Sequence, residues 1–178
     1  PYAVLLPIFA ENILKGGPQA FGFLLGATGV GALAGAIFLA SRQNVLGLGR
    51  IIVMASSVFG IGLVSFSLSR IYSLSLALMV LTGFGMMVNM TSSNTVLQTI
   101  VEEDKRGRVM SFYTMAFMGM VPFGSLLAGS VAHTIGAPAT VLIGGLSCIL
   151  GSLLFARQLP SLRKMVRPIY VQKGILLE

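Results

Sequence analysis

The stretch Phe21-Gly-Phe-Leu-Leu-Gly-Ala-Thr-Gly-Val-Gly-Ala-Leu-Ala-Gly-Ala-Ile-Phe-Leu-Ala-Ser41 carries no charged side chain from end to end. A helix needs about 20 mostly apolar residues to cross a hydrocarbon core of roughly 30 Å, and this run is long enough. Its five glycines, Gly22, Gly26, Gly29, Gly31 and Gly35, would weaken a soluble helix. Inside a bilayer they let neighbouring helices approach closely. The run therefore reads as a transmembrane helix in a bundle.

Working outward, the same pattern recurs at 51–69, 71–100, 109–132 and 134–156, with 19–41 as the span just quoted. Residues 1–14 open with the apolar Pro1-Tyr-Ala-Val-Leu-Leu-Pro-Ile-Phe-Ala10, too short to cross unaided, and are expected to be the end of a truncated first span. The chain starts without Met and without a basic segment ahead of an apolar one, so no secretory signal is visible and the sequence reads as a piece of something longer. The expected fold is all-α: a polytopic six-helix membrane bundle over 1–157 followed by a cytoplasmic tail over 158–178.

Composition agrees. Of 178 residues, 55% are hydrophobic and 10% charged, with a mean hydropathy of +0.91. A soluble globule of this size exposes too much surface to hide that apolar content, and disordered chains are polar and charged. The single cysteine, Cys148, excludes an internal disulfide, and with the single histidine, His133, it leaves no metal cluster. No nucleophile with its base and no phosphate-cradling loop is present, so no enzyme, cofactor or metal is expected.

The net charge of +7 could suggest nucleic acid, but its placement points to topology. Ten of the 12 basic residues fall at 42–50, at 105–108 or after the last span, all on one side if the spans alternate; Lys15 and Arg70 alone lie opposite. Basic loops stay in the cytoplasm. This side, including the C-terminus, is expected to be cytoplasmic, with the bilayer and not nucleic acid as partner.

Two consecutive groups of three spans also look alike. The second span carries its glycines where the fifth carries Gly119, Gly124, Ser125, Ala128 and Gly129. Weak similarity between three-helix units marks secondary transporters, although small residues recur in any membrane bundle.

Several motifs carry a functional and a plain reading side by side. Arg42 and Arg50, among Gly47 and Gly49, suit a cytoplasmic gate or simple topological anchoring. Glu102-Glu103-Asp104-Lys105-Arg106-Gly107-Arg108 is a charged hinge or a solvated capping segment. Gly119, Pro122, Gly124 and Gly129 suit a helix that rocks, or a static kink. In the polar fourth span Thr82, Asn89 and Ser93 share one helical face, while Thr91, Asn94, Thr95 and Gln98 lie elsewhere. Such groups must face other helices or a wet cavity. Asn89 is the best cavity candidate, and interhelical hydrogen bonding is the alternative.

These residues carry a resemblance. Gly35…Ser41-Arg42…Gly49-Arg50 is similar to the Gly-x-x-x-Asp-Arg-x-Gly-Arg loop of the major facilitator superfamily. More specifically, Gln98…Val101…Arg106-Gly107-Arg108-Val109-Met110-Ser111 with Gly119-x-x-Pro122-x-Gly124-Ser125-Leu-Leu-Ala-Gly129 resembles the last third of the transmembrane secretion effector group, which includes enterobactin exporters. The opening ten residues resemble the seventh helix of that group, and the likeness runs to about Leu159.

The resemblance implies spans seven to twelve of a twelve-helix carrier in a bacterial cytoplasmic membrane, with an N-terminal six-helix half as partner. It also implies alternating access, and export of a small drug-like or siderophore-like molecule, in this family often against a proton gradient. The first and fourth spans would line the cavity, and Arg106, Gly107 and Arg108 would form a gating loop. Ser41 stands in place of the loop's acid, and Glu102 and Lys105 in place of a common proline and leucine. A non-transporting membrane scaffold or an inactive transporter fragment is the rival expectation.

Overall fold

The computed structural model describes residues 2–42 and 45–172, so Lys173 and the end of the expected tail lie outside the described residues. Among the described residues every regular element is helical: α1 (Tyr2–Ile8), continuing as a π-helical turn Phe9–Ile13, then α2 (Gly17–Ala40), α3 (Leu48–Leu68), α4 (Tyr72–Ile100), α5 (Glu103–Ile135) and α6 (Ala137–Gln172). Helices α2 to α6 are each long and apolar enough to cross a membrane, and Tyr2–Ile13 is a shorter apolar segment. The fold is the all-α membrane bundle expected from hydropathy.

The chief packing pairs are α2 with α4, α3 with α4, and α3 with α6. Glycine makes each possible. A Cβ on Gly31 of α2 would overlap the Val80 carbonyl, and one on Gly83 of α4 would overlap the Thr28 carbonyl. Between α3 and α4, a Cβ on Gly85 would stand 2.8 Å from the Ala55 oxygen; between α3 and α6, one on Gly60 would stand 2.8 Å from the Gly145 oxygen. Backbones this close gain dispersion contacts along their length, the main attraction left between helices when lipid is as apolar as leucine. Serine adds to the α3–α6 seam: Ser152 Oγ donates to the Val53 carbonyl at 2.8 Å and lies 2.8 Å from Ser57 Oγ.

The buried core gathers at one end of the bundle. Leu5, Leu6 and Phe9 pack there with Leu24, Leu63, Phe66, Met79 and Val141, and the Phe9 and Phe66 rings lie 4.6 Å apart. These residues come from α1 and its π turn, the start of α2, the end of α3, and the starts of α4 and α6. The opposite end is the basic one.

Two helices exceed the spans that hydropathy marks. α5 starts at Glu103 rather than 109, because its charged first turn suits a helix N-terminus: Glu103 and Asp104 sit at the positive end of the dipole. Lys105 pairs with Glu102, and an Arg106 Nη lies 3.8 Å from Glu103 Oε1. α6 continues past 156 through Pro160 and Pro168. Phe155, Leu159, Leu162 and Val166 prolong its inward stripe at helical spacing against the start of α3 and the end of α4.

Candidate functional site

The polar last third of α4 opens at the basic end. Thr95, Gln98, Thr99 and Ile100 line a cavity of about 880 Å³ together with Glu102, Glu103 and Arg106 at the start of α5, and Ile169 and Gln172 at the end of α6. Thr95 also borders a second cavity, of about 340 Å³, with Thr91 and Met87 of α4 and with Ala36, Leu39, Ala40 and Arg42 at the end of α2. One side of α4 thus faces open space on both flanks, with an arginine on each.

Two of the hydroxyls on that side bond within the helix. Thr95 donates to the Thr91 carbonyl at 2.9 Å and Thr99 to the Thr95 carbonyl at 2.7 Å, while Gln98 Nε2 donates to Asn94 Oδ1. Each hydroxyl oxygen can still accept a bond from a visitor. The Arg106 Nε is buried and has no hydrogen-bond partner among the described residues.

Thr82, Asn89 and Ser93 sit differently. Thr82 has no exposure; its Oγ1 donates to the Leu78 carbonyl at 2.8 Å, and a Cβ on Gly62 of α3 would come within 2.5 Å of that oxygen. Asn89 Oδ1 accepts a bond from Ser56 Oγ of α3 at 3.1 Å. Thr82 and Asn89 therefore turn toward α3, and none of the three residues lines either cavity. The arrangement at Asn89 is the interhelical bond that sequence offered as the alternative. The open face uses Thr91, Thr95, Gln98 and Thr99 instead. Their i, i+4, i+7, i+8 spacing was a signal, but nothing in the sequence told which face α3 covers.

Arg42 and Arg50 are exposed, at the end of α2 and in the first turn of α3. Arg108 and Gly107 are exposed in the first turns of α5, and a Cβ on Gly107 would meet nothing within 4 Å. The structure brings Arg42 and Arg106 to the cavities and leaves Arg50 and Arg108 outside them.

The sequence profile of the transmembrane secretion effector family matches residues 2–168. The chain belongs to that family. This secretion-effector chain is 26% identical over 154 residues to the staphyloferrin A transporter of Staphylococcus aureus (strain NCTC 8325 / PS 47), an alignment covering 86% of the chain and 38% of that relative. The chain thus spans well under half of the relative's length. No solved structure matches it. With five helices long enough to span, this member of the family is a multi-pass membrane protein of the major facilitator type.

The small-residue helix of the secretion-effector chain, α5, is unlike the others. It is helical without a break through Pro122, and no residue in it is buried. Gly119 and Gly129 have nothing within 4 Å of a Cβ built on them. Gly124 is half-buried and lines an apolar cavity of about 450 Å³ with Tyr2, Phe59, Leu63 and Cys148.

Proposed function

We propose that this chain is the second six-helix half of a secondary active transporter in a bacterial cytoplasmic membrane, with its C-terminus cytoplasmic. The whole carrier exports a small amphipathic molecule of the drug or siderophore class by alternating access. The observation that carries this reading is the family match over 2–168, and the name of the staphylococcal relative supports transport as the activity.

The geometry supports the same reading. A dense core lies at the end away from the basic loops, while the polar side of α4 opens at the basic end. Solute leaving the cytoplasm would meet Thr91, Thr95 and Gln98 between Arg42 and Arg106. The N-terminal half would complete this wall and cover the open glycines, Gly22, Gly26 and Gly29 on α2 and Gly119 and Gly129 on α5, none of which has a neighbour within 4 Å of a built Cβ. Rocking of the two halves about a midplane site would then alternate access.

The test is flux in inverted membrane vesicles bearing the full-length protein, tagged at the C-terminus. A blot band at roughly twice 18.7 kDa is expected for two six-helix halves. Flux should saturate and depend on a transmembrane ion gradient. Thr95→Leu should lower it at unchanged membrane abundance. A band at 18.7 kDa, or flux absent or unsaturable from the full-length protein, overturns the carrier and leaves a scaffold or an inactive fragment.

A further inference from the structure

We infer that the basic end of the bundle holds a binding site for an anionic phospholipid, built where the end of α6 crosses the start of α3. The site is a cavity of about 430 Å³. Its apolar wall comes from Leu48 and Ile52 of α3, Ile100 of α4, and Phe155, Leu159 and Leu162 of α6; Arg163 and Arg167 line its rim. Among the described residues they are the only charged side chains lining it, and neither makes an ion pair there. An apolar slot under two unpaired guanidiniums matches a molecule with an acyl chain below and a phosphodiester above.

Three further observations shape the site. Gly47 takes a left-handed φ of 85° to turn the chain into α3, and that helix starts with no side-chain cap, so its positive end faces the same cavity. A Cβ on Gly49 would come within 2.6 Å of Leu159 Cδ1, so the first turn of α3 rests directly on α6 and closes one wall. The depth is also suitable. Twenty residues of α6 from Ala137 cross a core of about 30 Å, which puts Phe155 at the edge of the hydrocarbon. Arg163 and Arg167 follow about 12 Å and about 18 Å further along the helix, on the basic side of the hydrocarbon, and their flexible side chains reach back toward the headgroups. A free phosphate would satisfy the arginines but leave the apolar wall bare. A neutral lipid would fill the wall and leave both charges uncompensated.

This site borders the solute cavities, sharing Ile100 with the larger and Leu48 with the smaller, and does not rest on the identity of the exported molecule. Its role is to tie α6 to α3 at the membrane surface, so that anionic lipid stabilises the basic end of the bundle.

The test is native mass spectrometry of the full-length protein released from nanodiscs of phosphatidylcholine with and without phosphatidylglycerol. Wild type should retain phosphatidylglycerol through detergent exchange, and the Arg163→Gln/Arg167→Gln pair should bind it roughly thirtyfold more weakly, at about a factor of five per basic residue near an anionic surface. Arg157→Gln/Lys164→Gln, which removes two exposed charges of α6 that do not line the cavity, should retain the lipid. A second pair, Arg163→Lys/Arg167→Lys, keeps the charge and should retain most of it. Equal loss in both glutamine pairs would reduce the site to diffuse surface charge and overturn the proposal. Displacement of the lipid by excess inorganic phosphate would make it a free-anion site, and undiminished binding in Arg163→Gln/Arg167→Gln would remove the site altogether.

Discussion

Helices α2 and α5 hold equivalent places in the two halves of the sequence pattern, and each carries a ladder of small residues. Their fates differ. Gly31 and Gly35 of α2 lie against the backbone of α4, where a Cβ on Gly35 would be 3.0 Å from the Phe84 oxygen. Gly119 and Gly129 of α5 meet nothing, and no α5 residue is buried. A small-residue ladder says that a helix can be approached closely. Whether something does approach depends on what lies beside it.

The comparison can be broken by substitution. Gly31→Leu forces a side chain into the Val80 carbonyl, and overpacking of this kind costs about 3 kcal/mol or more; thermal unfolding of the chain in detergent should show a large loss or no folded protein. Gly119→Leu in the same chain should change stability by less than about 0.5 kcal/mol. An equal loss at both positions would mean that α5 is packed in solution as α2 is.

The next effect sharpens the contrast through the proposed partner half. A cysteine placed at Phe123, exposed on α5, in a Cys148→Ala background should react readily with an apolar maleimide when this chain is alone. Co-expression with an N-terminal six-helix half should slow that reaction severalfold, and Gly119→Leu should restore it. Unchanged labelling would assign the open face of α5 to lipid.

The smallest effect lies on α4. Asn89→Leu removes the acceptor of the Ser56 bond and should cost about 0.6 kcal/mol, the usual scale for interhelical hydrogen bonds in membranes. Thr95→Leu, on the open side, should leave stability unchanged while lowering flux. If Asn89→Leu abolishes flux at normal abundance and Thr95→Leu does not, the solute path lies on the face turned to α3.

How much was legible follows from these particulars. The spans were legible because 21 uncharged residues at 21–41 can be stable in only one environment, whatever their neighbours. The basic loops at one end were legible for the same reason, since charge placement is a property of the chain itself. The side of α4 that opens was not. Thr82, Asn89 and Ser93 share a face as surely as Thr91, Thr95 and Gln98 do, and periodicity ranks neither above the other. The length of α6 was missed because the proline and arginine pattern after 156 resembles a solvated tail until Leu159 is seen resting on Gly49.

By itself, then, the sequence determined that this protein is a multi-helix membrane chain with a basic end and glycine-bearing helices, because solvent preference and charge act residue by residue. Only the tertiary structure decided which glycine ladder closes on a neighbour, which polar face meets α3, and which arginines stand over an apolar slot. Those outcomes depend on surfaces meeting, and one helix does not encode what lies across from it.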